Sequence, residues 1–542
     1  MKKNSLYFLV LLVTFSLFSQ DNKALFPKSI RNADNGNGTY TNPIINSDYS
    51  DPDAIRVGNK FYMTASSFNC IPGLPILESD DLVNWKLISY ALNKQKPEQV
   101  YDLPQHGKGV WAPCIRFHEK EFYIYYPDPD FGIYMTKSKN PEGPWSEPIL
   151  VKSGKGLIDP SPLWDENGKT YLVYAFAGSR AGIKNMLVVC SMNQQGTIAN
   201  NDEVLIIDGH KDESTIEGPK IYKKNKYYYI FAPAGGVATG WQTVLRSKNI
   251  YGPYEKRKVL DQGKTKVNGP HQGAWVQTKN GEDWFLHFQD KGVYGRVVHL
   301  QPMKWVNDWP IIGIDDDNDG IGEPVITYKK PNAGKVFPIN SPPDSDEFNE
   351  PKLSLQWQWH ANPQINWGFP SAMGFFTLNC IPKPKETVNL SDIPNLLLQK
   401  FPDDEFTATA KLQFDAHSDG EEAGLVIMGL DYSYLKIKKL DGKIYLLQMT
   451  CTNANKKEAE KEIDKVELKN SLICLKVKVT EGGKCTFFYS ENETDFKAIG
   501  KEFSAKEGRW IGAKLGFVAL RENFTNDSGN LKIDWIRFNK IE

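Results

Sequence analysis

One unit of strand, turn and aromatic-rich strand returns five times in this chain, and it constrains the fold more than any other feature. The copies read Asp51-PDAIRVGNKFYMTAS, Trp111-APCIRFHEKEFYIYY, Asp159-PSPLWDENGKTYLVYA, Glu217-GPKIYKKNKYYYIFAP and His271-QGAWVQTKNGEDWFLHF. Their openings lie 60, 48, 58 and 54 residues apart, which suits propeller blades rather than helical solenoids. Turn pairs such as Gly58-Asn59 and Asn167-Gly168 punctuate the copies. No sustained 3.6-residue periodicity competes with them. The 12% aromatic content, with 33 Pro and 43 Gly, points to the same all-β class.

A propeller gathers the openings of its blades around one channel. Asp51, Trp111, Asp159, Glu217 and His271 are therefore expected at one end of that channel. Any one Asp-Pro or Glu-Gly-Pro alone reads as a turn capping a strand. Their shared phase is what points to chemistry. Breaking a glycosidic bond takes one carboxylic acid to protonate the leaving oxygen and one carboxylate to attack or to activate water. The pair stands roughly 6.5–9.5 Å apart for inversion and nearer ~5.5 Å for retention. A third carboxylate beside the acid raises its pKa by repulsion. Asp51, Asp159 and Glu217 supply all three.

The repeat stops after about Ile326, and Lys329-KPNAGKVFPINSPPDSD reads as a connector. Beyond Asp346, alternating stretches such as Phe406-TATAKLQF, Ile473-CLKVKV and Leu531-KIDWIRF suit a two-sheet sandwich. The expected division is a propeller over 40–328, a linker over 329–345 and a sandwich over 346–541. Met1 to about Ser19 reads as a signal peptide, with Lys2 and Lys3 before an apolar run too short to span a bilayer. Export to the periplasm or beyond is expected, with no membrane span after its removal.

A formal net charge of −1 offers no field to gather nucleic acid. Seven scattered cysteines without a paired spacing lead to no assigned disulfide or zinc site. Asp315, Asp317 and Asp319 before Gly320 are similar to the opening of a calcium loop, but Ile326 stands where the closing Glu belongs. A polar hairpin tip is the expectation there.

The stretches Asn42-PIINSDYSDPDAIRVGNKFYMTASSF, Gly109-VWAPCIRF, Leu157-IDPSPLW, Ile216-EGPKIY and Gly295-RVVHLQPMKW resemble glycoside hydrolase family 43, the β-xylosidases and α-L-arabinofuranosidases. The resemblance implies a five-bladed β-propeller. The segment from Asp346 resembles the concanavalin-like jelly roll of the β-xylosidase branch. It further implies Asp51 as general base, Glu217 as general acid, Asp159 as the group that tunes pKa and orients substrate, and inversion without a covalent intermediate. Phe68, Trp111, His271 and Arg296 are implied on the sugar pocket, with His106 as a further residue that reaches substrate. His271 lines the channel and in some relatives contacts a central calcium or its water. No cofactor is expected for the chemistry, and Glu347 with Asp534 is the expected pair for a structural calcium. Lys220, where His is frequent, and Tyr101-DLPQHGKG depart from the pattern near the expected rim. The loop around Trp367-GFP is the candidate to lean over the site.

The expected activity is exo-acting release of xylose from xylo-oligosaccharides. Cleavage of α-L-arabinofuranosyl branches of arabinoxylan is the alternative. A non-catalytic carbohydrate-binding propeller is the alternative of another class. Oligomeric state is not legible in the sequence.

Overall fold

The computed structural model describes residues 29–541, so the signal peptide expected at 1–19 lies outside the described residues. Five four-stranded antiparallel sheets follow one another in chain order. The first is built from Asp53–Val57, Lys60–Thr64, Gly73–Ser79 and Trp85–Leu92. The others run from Cys114 to Ser153, Leu157 to Asp208, Lys220 to Leu260 and His271 to Ile312. In each blade the repeat unit supplies the first two strands, and the first strand lies innermost.

The blades share a proline that the repeat hides in plain view: Pro52, Pro113, Pro160, Pro219 and Pro270 each stand just before the residue that enters the channel. Before four of these prolines the backbone is left-handed, with φ of +55° at Asp51, +56° at Asp159, +60° at Gly218 and +48° at Gly269. Glycine takes that conformation freely, whereas aspartate does so only where surrounding structure imposes it. The five expected openings are therefore not equivalent positions. Asp51 and Asp159 directly precede the proline, Trp111 and Glu217 stand one residue earlier, and His271 follows it. They share a turn but reach the site from three different backbone positions around the proline.

The residues after the prolines, Asp53, Cys114, Ser161, Lys220 and His271, are all buried and form a polar floor. Asp53 Oδ2 accepts from Arg116 Nη1 at 2.8 Å, and Arg116 Nη2 donates to Ser161 Oγ at 3.1 Å. Lys220 is correspondingly no rim residue: its Nζ donates to the Pro113 carbonyl at 3.3 Å within that floor.

The ring is closed by its two ends. Thr39–Thr41 pairs antiparallel with Thr327–Lys329, and Ile45 bridges Val298 in the last blade. The second unit is a sandwich of two eight-stranded sheets. Phe406–Asp415 shows why it folds so: its residues alternate between buried and half-buried along the whole strand, sending Phe406, Ala408, Ala410, Leu412 and Phe414 into one core. One sheet docks against the propeller, where Trp359 bridges Ile71, Gln358 Nε2 donates to the Pro72 carbonyl at 2.8 Å and Lys291 Nζ meets Asp404 at 2.7 Å.

Candidate active site

Asp51 is held as an acceptor. Its Oδ2 receives the hydroxyls of Ser50 at 2.7 Å and Ser66 at 2.5 Å, and Arg296 Nη1 stands 3.4 Å from Oδ1. The same guanidinium nitrogen donates to Ser50 Oγ at 2.9 Å. Three donors on one buried carboxylate fix its rotamer.

Asp159 is buried, and its Oδ2 accepts from the Gly218 amide at 2.7 Å. That bond ties blade three to the residue following Glu217. Burial first, and then the negative charge of Glu217, push Asp159 well above the usual carboxylate range; Asp51 adds to the push, while the Gly218 amide and Lys220 oppose it. Asp159 thus feels both other acids, so three carboxylates share one site.

Glu217 keeps 27% of its side chain exposed, and Oε1 lies 3.0 Å from His271 Nε2. His271, expected to line the channel, is almost wholly enclosed and touches the acid. Its other nitrogen, Nδ1, has no hydrogen-bond partner among the described residues.

Phe68 has a left-handed backbone at φ +51° and is pinned by reciprocal backbone bonds with Val110 at 2.9 and 3.1 Å. Its ring meets Trp111, centroid to centroid at 6.4 Å. Trp111 Nε1 donates to the Gly107 carbonyl at 2.9 Å, and the Arg180 guanidinium lies over its ring at 5.3 Å. Phe68 and Trp111 thus pack against each other, while Arg296 lies beside Asp51.

Two expectations for the rim are corrected. His106 does not face a substrate: its Nε2 lies 2.8 Å from the Ser391 carbonyl, its ring packs on His360 at 4.8 Å, and burial lowers its pKa. It is a domain-interface residue because the Tyr101–Lys108 segment turns toward the sandwich. Trp367 does not lean over the site either. It is 2% exposed in the sandwich core, against Trp359 at 5.4 Å.

The sandwich does reach the site, through a loop that sequence reasoning missed. Trp510, left-handed at φ +67° and 41% exposed, stands edge-on to Trp111 at 6.3 Å and 5.9 Å from the Arg296 guanidinium. Arg509 lies over Trp510 at 4.5 Å. Gly107 makes this approach workable, since a Cβ there would stand 2.3 Å from Arg509 Cγ. Gly512 anchors the far side by donating to Asp48 Oδ2 at 3.1 Å. The readable signal was an aromatic between glycines, Gly508-Arg509-Trp510-Ile511-Gly512.

The two residues expected to hold a calcium in the sandwich each face a basic side chain. Glu347 is engaged by Arg537 at 2.8 and 2.9 Å, and Asp534 by Lys411 at 3.3 Å. Oxygens of Asp315, Asp317 and Asp319 do lie within 4.8 Å of one another, and two of them cap the turn through Gly320 and Ile321 amides at 3.2 and 2.7 Å.

The family described as Glycosyl hydrolases family 43 matches residues 40–310, and the Beta xylosidase C-terminal Concanavalin A-like domain matches residues 345–539. A protein of Xylanibacter ruminicola is 39% identical over 89% of this chain and 86% of its own. A β-xylosidase of Formosa agariphila is 32% identical over 93% and 91%. A non-reducing end α-L-arabinofuranosidase of Bacteroides ovatus is 30% identical over 73% and 75%. The crystal structure of a xylan β-1,4-xylosidase from Bacillus halodurans superposes with a TM-score of 0.80 at 25% identity, covering 92% of this chain and all of that one.

Proposed function

The chain belongs to glycosyl hydrolases family 43, and from that membership we propose that it is an exo-acting, inverting β-xylosidase that releases xylose from the non-reducing end of xylo-oligosaccharides. The observation that carries this reading is the common site of three carboxylates in three different settings. Asp51, fixed by two hydroxyls and a guanidinium, is the base that orients and deprotonates water. Glu217, partly open and paired with His271, is the acid that protonates the leaving oxygen. A sugar seated on the site covers the exposed part of Glu217 and excludes water from the acid as it meets the leaving oxygen. Asp159 also orients the Glu217 turn through the Gly218 amide.

Trp510 supports the exo mode. A cleft open at both ends would admit the middle of a polymer, whereas a tryptophan from the second domain facing Trp111 narrows the approach. Aromatic faces at such a mouth pack on the apolar face of a sugar ring. The leader-like Met1–Ser19 segment supports export, which would bring the enzyme to plant-wall fragments.

The similarity to an α-L-arabinofuranosidase favours a second reading, in which the same acids release arabinofuranose. Side-by-side rates on p-nitrophenyl β-D-xyloside and p-nitrophenyl α-L-arabinofuranoside test the choice. A higher kcat/KM on the xyloside is expected; a preference for the arabinoside overturns the β-xylosidase reading.

A further inference from the structure

Where the sandwich meets the propeller, Lys514 Nζ lies 3.0 Å from Cys70 Sγ. Cys70 is 2% exposed and Lys514 4%. All seven cysteines are free, and Cys70 is the one among the described residues whose sulfur contacts an amine. Lysines this deep are normally paired with a carboxylate. Among the described residues Lys514 has no such partner: besides the thiol, its amine reaches the Gln358 amide oxygen at 3.3 Å. Lys400 is enclosed in the same interface, its amine over the Tyr49 ring at 3.4 Å. A buried lysine that meets a thiol and an amide oxygen is not explained by ion pairing.

We propose that Cys70 and Lys514 are a site of oxidative cross-linking, joined as N–O–S by one oxygen atom when the protein meets molecular oxygen. The separation is too long for a direct nitrogen–sulfur bond and suits one inserted oxygen with little movement. Both partners are fixed: Lys514 opens the strand Lys514–Arg521, paired on one side with Lys400 and on the other with Met428, and Ile71, next to Cys70, bridges Trp359. The reaction consumes one amine, one thiol and one O2. The N–H, S–H and O–O bonds break, the N–O and O–S bonds form, and the second oxygen leaves as water with the two hydrogens. Nitrogen and sulfur are oxidised and dioxygen is reduced. Such oxidation of a cysteine is reversible by thiols, in keeping with the lower rungs of cysteine oxidation.

The position gives the link a consequence. Cys70 follows Phe68 by two residues and Lys514 follows Trp510 by four, so the bridge ties together the two segments that carry opposite walls of the mouth. It would hold the sandwich loop on the propeller without touching the carboxylates.

Mass spectrometry of the full chain tests this. Protein kept in oxygenated buffer is unfolded with an alkylating reagent and no reductant, then digested. The expected product is a peptide pair containing Cys70 and Lys514 whose mass is the sum of both plus one oxygen less two hydrogens, and which a dithiol separates into the unmodified peptides. The thermal midpoint is expected to fall on dithiol treatment in the wild type and to be indifferent to it in Cys70→Ser and Lys514→Arg. The wild-type mass needs no variant to fold. A fully alkylated Cys70 after oxygen exposure, or a joined pair lacking the extra oxygen, overturns the proposal.

Discussion

His271 Nε2 stands 3.0 Å from Glu217 Oε1 in a setting where the imidazole is enclosed and the carboxyl partly open. The contact can serve either protonation state of the acid: an ionised Glu217 accepts from Nε2–H, and a protonated one donates to a bare Nε2. The histidine is thus a positioning residue for the proton that the leaving group needs.

Replacing that acid should be felt in proportion to the need for a proton. Glu217→Gln is expected to lower kcat on xylobiose by about 10²–10⁴-fold, the usual worth of general catalysis. The loss on p-nitrophenyl β-D-xyloside should be much smaller, because p-nitrophenolate departs without protonation. His271→Ala should show the same pattern at reduced size, about tenfold on xylobiose, as befits a group acting through Glu217. Equal losses on both substrates would remove Glu217 from the acid role.

Asp159 makes a statement about stability. Its folded pKa is raised, chiefly by burial and then by Glu217, so the folded chain holds this proton more tightly than the unfolded one. Stability associated with the group is therefore full below the unfolded value near ~4 and lost as pH rises through the folded value. Asp159→Asn should raise the thermal midpoint at alkaline pH, leave it little changed near pH ~4, and abolish turnover. Thermal unfolding across a pH series checks the sign.

Lys400 runs in the opposite direction, its contribution rising with pH where that of Asp159 falls. Burial pushes its amine down to about 7, so the unfolded chain binds the extra proton between that value and the ordinary ~10.4 of lysine. Stability from this site therefore rises with pH across that window. Lys400→Met is expected to be more heat-stable than the wild type, with its largest advantage below the folded value and none at strongly alkaline pH. A midpoint lower than wild type at neutral pH would show that the ammonium is stabilised by its surroundings.

Trp510 carries the link between the two domains and the mode of attack. Removing a packed aromatic of this kind forfeits ~1.5–3 kcal/mol of apolar burial when substrate covers it. Trp510→Ala should accordingly lower kcat/KM on xylobiose by about tenfold to a hundredfold while the thermal midpoint stays near wild type, since the ring is 41% exposed. Chromatography of products from xylohexaose should show longer fragments beside xylose. Xylose alone at unchanged efficiency would detach Trp510 from substrate.

The blades were legible because each copy had to restate the same local solution: a proline-preceded inner strand, a turn and an aromatic strand. Their exact phase was less so, since the carboxylates attracted attention and the prolines at 52, 113, 160, 219 and 270 define the frame. Trp111 was legible as the opening of a repeat, whereas Phe68 and Arg296 came only from the family resemblance. His106 and Trp367 were misplaced for a common reason. Both lie in irregular segments whose direction is decided by contacts with the other domain, Ser391 and His360 for one and Trp359 for the other. Trp510 was missed because a loop nearly 400 residues beyond Trp111 carries no periodic signal that points to it.

The stereochemistry of the first product tests the account most directly. If Asp51 activates water and Glu217 protonates the leaving oxygen, attack comes from the face opposite the leaving group. Proton NMR of freshly released xylose, recorded before mutarotation, should show the α-anomer appearing first from a β-linked xylo-oligosaccharide. First appearance of the β-anomer would mean a covalent intermediate on one of these carboxylates and would contradict the assignment of Asp51 as base.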